Sequence, residues 1–213
     1  MRKTQPLLVR LTHWLNVPVL VLMAMSGLEI LAAYPSLGPR GRLFRWYAFN
    51  GHAPPSFTRY GGWLAGARQL HFTFAWLFVA NGLAYLIYLL ASGQWRDRWF
   101  LPWRDSKNAV HTAAYYMRLR KTAPEQGLYN GLQRLGYMSA SLLALVSALS
   151  GLAIYKPVQL WPLCRLFGGY DAARAVHLLS LGSLALFTLG HLLMVAIHYK
   201  RFAEMITGGP PRG

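Results

Sequence analysis

Four of the seven histidines in this chain of 213 residues, His13, His71, His177 and His191, fall in or at the ends of long apolar runs. An imidazole is costly in such a setting, and the chemistry that would justify it is metal ligation or proton transfer. His177 and His191 share one run and stand 14 residues apart. In an α-helix that spacing returns to within about 40° of the same face while rising about 21 Å. The two therefore look the same way from opposite ends of one helix.

The elements that must position these residues follow from hydropathy. The chain is 54% hydrophobic and 13% charged, with a mean hydropathy of +0.26, far from a soluble domain with about 25% charged residues. A bilayer core of about 30 Å needs about 20 apolar residues per helix. Segments at about 9–33, 69–92, 134–155 and 174–199 satisfy that length. The expected fold is all-α: one integral membrane four-helix bundle over residues 1–213. No internal repeat or low-complexity tract stands out in the sequence. No removable signal peptide is expected, because the first apolar run is too long and lacks a small-residue cleavage site.

Topology then pairs the histidines. His13 opens the first span at one side and His71 opens the second at the other, so His13 falls level with His191 and His71 with His177. Facing imidazoles at each of two levels are what two stacked b-type haems require. A single cysteine, Cys164, excludes a disulfide framework, a Cys-rich zinc site, an iron–sulfur cluster and covalent C-x-x-C-H haem attachment. Gly27 and Gly82 lie near the histidine faces of their helices, each about 16–21 Å from its own helix's histidine, where a glycine would admit a porphyrin edge. Arg10, Arg68 and Arg174 each precede a histidine by three residues on the aqueous side, where haem propionates would emerge.

Blander roles stand beside these. Span-end histidines also serve as interfacial polar residues, glycines as helix-packing positions, and arginines snorkel to headgroups. His198 is the rival to His191 for the same level. His52 and His111 fall in loops and face solvent or partners. Glu29 lies about 160° around its helix from His13, so pairing with a loop arginine is its expected role. No nucleophile triad, phosphate loop or carboxylate pair is present.

A net charge of +16 spread between apolar runs fits anionic lipid rather than nucleic acid. More of it falls on the side holding both termini and segment 93–133 than on loops 34–68 and 156–173. The positive-inside rule then places both termini in the cytoplasm of a bacterial inner membrane. Loop 34–68, with Trp46, Tyr47, Phe57, Tyr60 and Trp63 among arginines, is long enough to dock a partner. Segment 105–121 suits a short interfacial helix.

Several motifs carry a family resemblance over nearly the whole chain: Arg10-Leu-Thr-His13-Trp-Leu-Asn16, Met25-Ser-Gly-Leu28, Tyr129-Asn-Gly-Leu-Gln-Arg134, Ser150-Gly-Leu-Ala-Ile-Tyr155, His177, His191 and Met205-Ile-Thr-Gly208. The chain resembles the bacterial cytochrome b561 and nickel–iron hydrogenase cytochrome b superfamily. Within it, the chain looks most like thiosulfate reductase cytochrome b subunits, related to formate dehydrogenase gamma subunits. The resemblance implies four helices, two b haems ligated by His13, His71, His177 and His191, and electron exchange between quinone and a periplasmic molybdoenzyme or hydrogenase subunit. It also makes Asn130 and Gln133 candidates for hydrogen-bonding a quinone carbonyl; helix capping is the other role open to Asn130. Two further readings remain: a self-sufficient superoxide:quinone oxidoreductase, with the basic loop steering the anion, and a haem-free membrane anchor.

Overall fold

The computed structural model describes residues 5–39, 43–47, 49–124, 129–199 and 202–209. Arg2, Lys3, Arg40, Arg42, Lys200, Arg201 and Arg212, which enter the charge balance above, lie outside the described residues. Four helices long and apolar enough to cross a membrane run in sequence: α1 (Leu7–Ala33), α2 (Leu64–Ser92), α5 (Gly131–Tyr155) and α7 (Tyr170–Ile197). Short helices lie between and after them: α3 (Trp95–Arg98), α4 (Pro102–Tyr116), α6 (Trp161–Leu166) and α8 (Glu204–Thr207). No strand occurs among the described residues.

Local chemistry sets the helix ends. α1 begins directly after Pro6 and stops before Pro35, while Gly93 closes α2 in a left-handed conformation with φ of 72°. α5 opens on a capping box, in which the Asn130 side chain accepts from the Gln133 amide and the Gln133 side chain accepts from the Asn130 amide. α7 starts after Gly168 and Gly169, both at positive φ. It begins four residues before the apolar run predicts and ends at Ile197, so His198 caps the helix and is not part of it. His111, expected in a loop, lies on α4, and Cys164 is buried on α6.

The spans pack as two hairpins, α1 with α2 and α5 with α7, which lie much closer within each pair than between pairs. Polar groups pin the first: Asn81 Nδ2 donates to the Thr12 carbonyl at 2.9 Å and to Asn16 Oδ1 at 2.8 Å. Such interhelical bonds contribute about 0.6–2 kcal/mol inside a membrane. Outward faces are apolar; Trp76 and Leu186 are 63% and 72% exposed, as lipid contact allows.

The hairpins resemble one another, a likeness that does not stand out in the linear sequence. Shifting α1 by 124 residues aligns Leu8, Arg10, Leu11, Ala24, Ser26, Gly27, Leu28 and Ile30 with identical residues of α5. Shifting α2 by 106 aligns Ala67, Arg68, His71, Leu83 and Leu86 with identical residues of α7. The two shifts differ because the connections differ in length, so no single period exists to be found. The copies agree in packing as well: Ser26 and Ser150 are fully buried, as are Ala67 and Ala173. Two consecutive spans per copy give a parallel repeat, with its axis along the membrane normal.

At the end bearing the termini, α4 docks on the start of α5. Asp105, 4% exposed, accepts from the Leu101 amide, from Arg104 and from Arg134 Nη1, at 2.8–2.9 Å. Burial pushes its carboxyl up, but the Arg104 hydrogen bond, the Leu101 amide and the Arg134 charge outweigh burial and hold it below its ordinary value. A depressed folded value means that this junction's contribution is full above the unfolded carboxylate range, about pH 4, and is lost as pH falls through the folded value. Protease susceptibility of segment 117–124 in detergent should therefore stay flat from pH 7 to 5 and rise on further acidification; susceptibility that falls on acidification contradicts the assignment.

Candidate functional site

The structure brings the four histidines together in the expected pairs, one from each hairpin. His71 and His177 have ring centroids 6.1 Å apart with planes at 76°, and His13 and His191 are 6.0 Å apart at 64°. Two metal–nitrogen bonds of about 2 Å plus two ring radii give about 6 Å between centroids. Both spacings therefore fit an iron held between imidazoles. We call the His71/His177 level outer and the His13/His191 level, near the termini, inner.

Each outer imidazole is held by the opposite helix of its own hairpin. His71 Nδ1 is 3.0 Å from the Met23 carbonyl and 3.3 Å from Ser26 Oγ. His177 Nδ1 is 3.0 Å from the Ser147 carbonyl and 3.1 Å from Ser150 Oγ. A carbonyl only accepts, so the proton sits on Nδ1 of each ring. The serine hydroxyls already donate backward along their helices, Ser26 to Leu22 and Ser150 to Val146. They therefore accept from the imidazoles as well. Both Nε2 lone pairs remain for a metal, the arrangement that orients histidine ligands and raises their basicity.

Glycine makes the clamp possible. A Cβ at Gly27 would lie 3.1 Å from His71 Cε1, and one at Gly151 would lie 3.1 Å from His177 Cε1. Gly27 thus sits at the outer level, as its spacing predicts, with the His71 ring against it. At Gly82 a Cβ would meet nothing within 4 Å.

The inner pair is built differently. Among the described residues neither ring has a hydrogen-bond partner. His13 meets the edge of Trp14 at 5.4 Å, and His191 stacks on Phe187 at 6.1 Å. Trp14 Nε1 donates to the Met205 carbonyl and Arg10 Nη1 to that of Ile206, fastening α8 over this end. His198 is engaged elsewhere, with Nε2 3.3 Å from Tyr116 Oη and Nδ1 3.1 Å from the Met194 carbonyl.

The arginines occupy both ends. Arg174 donates from Nη2 to the Tyr34 and Ser36 carbonyls and covers the Tyr34 ring; Arg68 lies over Phe72. Arg10 keeps a buried Nε with no partner, an orphan donor that a haem carboxylate would satisfy. Glu29 pairs with Arg59 at 3.3 Å, the loop-arginine role expected of it. Asn130 and Gln133 use their carboxamide oxygens in the capping box, which leaves amide donors of the kind a quinone carbonyl needs. Beside them Arg98, 3% exposed, bonds Gln5 and Gln94 and lies over the Tyr129 ring, while Gln5 donates to Tyr129 Oη.

Sequence reasoning missed Ser26, Ser150 and Gly151 as the support of the outer histidines. The duplicated Ser-Gly-Leu at 26–28 and 150–152 was the available signal.

Comparison with known proteins gives a consistent result. A family model described as prokaryotic cytochrome b561 matches residues 4–208. A chain of Azospira oryzae, named as a candidate protein-methionine-sulfoxide reductase subunit, YedZ1, is 35% identical over 201 residues, covering 94% of this chain and 93% of the relative. No solved structure matches.

Proposed function

The chain belongs to the prokaryotic cytochrome b561 family, and we propose that this membrane electron-transfer subunit is a dihaem cytochrome passing electrons between the quinone pool and a periplasmic redox partner. The observation that carries the reading is the two imidazole pairs, 6.0 and 6.1 Å between centroids, each bridging the two hairpins. When bound, each b haem supplies a one-electron iron couple.

The chain's own residues supply the rest. His71 and His177 present Nε2 from rings fixed at Nδ1, and His13 and His191 each present a ring nitrogen from rings held by aromatic contacts. Arg10, Arg68 and Arg174 stand where propionate carboxylates reach water, and Gly27 lets its neighbouring ring sit close to the helix. Asn130 and Gln133 offer amide donors to a quinone carbonyl at the inner end, which the charge balance puts on the cytoplasmic side of a bacterial inner membrane. Two centres at different depths carry charge across the bilayer, which one centre does not. The partner is of the molybdoenzyme or hydrogenase class. The Azospira relative's name adds a reductase of oxidised methionine to those classes.

Purified chain should give two b haems per polypeptide by pyridine haemochromogen assay, both reducible by a quinol analogue. One haem would remove one pairing, and none in freshly prepared membranes would overturn the reading.

A further inference from the structure

The internal repeat supplies a fourth arginine that spacing to a histidine does not reveal. In α5 the counterpart of Arg10 is Arg134, and the counterpart of His13 is Tyr137. Because Arg134 precedes a tyrosine, nothing in its own helix marks it as facing a metal site. The structure treats the two arginines alike. Among the described residues three buried side-chain nitrogens have no hydrogen-bond partner: Arg10 Nε, Arg134 Nε and Arg59 Nε. Two of the three are this repeat-related pair, one in each hairpin, at the same end of the bundle.

Both arginines are fixed by one arm. Arg10 uses Nη1 on the Ile206 carbonyl, and Arg134 uses Nη1 on Asp105 Oδ1 at 2.9 Å. What each keeps is the buried Nε edge of a planar fork, the edge that takes a carboxylate. Arg134 also lies close in height to the inner level: two residues, about 3 Å, along α5, a Cβ at Gly136 would lie 3.7 Å from Phe187, whose ring stacks on His191. At the outer level the corresponding repeat pair is Arg68 and Arg174.

We propose that Arg134 and Arg10, one from each hairpin, hold the two propionate carboxylates of the haem ligated by His13 and His191, with Asp105 setting how much of the Arg134 charge that haem experiences. The proposal rests on the dihaem reading. A guanidinium beside a haem favours the reduced, more negative state and raises the midpoint potential; a carboxylate on that guanidinium offsets the effect.

The test is redox potentiometry of both haems, with electron paramagnetic resonance to separate them, on Arg134→Gln, Asp105→Asn and Arg134→Lys. R134Q should lower the inner midpoint, reduce inner-haem occupancy and leave the outer haem at its wild-type potential. D105N should move the inner midpoint the other way. R134K should keep the inner midpoint near wild type while losing inner-haem occupancy through the lost fork, and it carries the test if R134Q does not insert.

A purely structural clasp between α4 and α5 predicts otherwise. R134Q and D105N break the same ion pair, so they would then shift the inner midpoint in the same direction or leave it unmoved, and either result overturns the proposal. An R134K variant with full inner-haem occupancy overturns it too. His191→Ala separates this failure from failure of the dihaem reading: if H191A removes no haem signal, that reading falls, whereas a signal lost in H191A but unmoved in R134Q sinks only the role of Arg134.

Discussion

Replacing His177 with alanine is expected to take the haem-to-protein ratio from two to one while the chain still inserts and keeps its helical content. The imidazole is the group that α7 sets opposite His71, and its loss leaves His71 without an opposite ligand. Ser150 Oγ and the Ser147 carbonyl lose a donor, but both keep partners within α5, Ser150 Oγ donating to the Val146 carbonyl at 2.7 Å and to the Ser147 carbonyl at 3.2 Å, so the fold cost is modest. The inner pair should survive, because His191 lies about 21 Å further along the same helix. His191→Ala should remove the complementary signal, and His198→Ala should remove neither, because that ring bonds Tyr116 and Met194. H177A protein retaining two haems with unchanged resonance spectra would show that His177 is not a ligand.

The second large effect is expected at a residue with no polar group. Gly151→Val should abolish the outer haem nearly as completely as H177A does. A Cβ there lies 3.1 Å from His177 Cε1 and 3.5 Å from Nδ1, and valine adds two carbons beyond it. The ring has no room to retreat without breaking its bonds to the Ser147 carbonyl and Ser150 Oγ. Overpacking of this kind costs about 1–3 kcal/mol and moves the ring out of register. Gly27→Val should do the same through His71. Gly182→Val, on α7 where a Cβ would meet nothing within 4 Å, controls for placing a β-branched residue in a span and should keep both haems. Haem ratio and detergent thermal midpoint distinguish these outcomes; a G151V chain with both haems would mean that the ring moves freely.

The histidine pairing was legible because it depends on two quantities that sequence carries directly, helical period and span direction. The Glu29 pairing with a loop arginine was legible for a similar reason: an isolated acid in an apolar span has few choices. The serine and carbonyl clamp was not, since Ser26 and Ser150 look like ordinary small residues until the hairpin brings a ring within 3.3 Å. His191 and His198 looked alike as ligands because both lie on one helical face; α7 ending at Ile197 separates them. Asn130 was readable as a capping or a binding residue and Gln133 only as a binding one; both take part in the capping box, which leaves their amide donors unused by it. The likeness of the hairpins escaped because unequal loops split its period, and with it went Gly151, whose close approach to His177 parallels that of Gly27 to His71.

The duplication also bears on how such a chain comes to exist. His71, Arg68, Ser26 and Gly27 recur as His177, Arg174, Ser150 and Gly151, so a single hairpin, paired with a second copy of itself about a twofold axis, contains every residue of the outer level. Isologous dimers are the commonest form of self-association, and joining the two copies in one polypeptide frees each side to change alone. The inner level uses that freedom: the positions matching His13 and His191 hold Tyr137 and Tyr85. The outer level is thus built from residues that the two hairpins share, and the inner level from positions at which they differ.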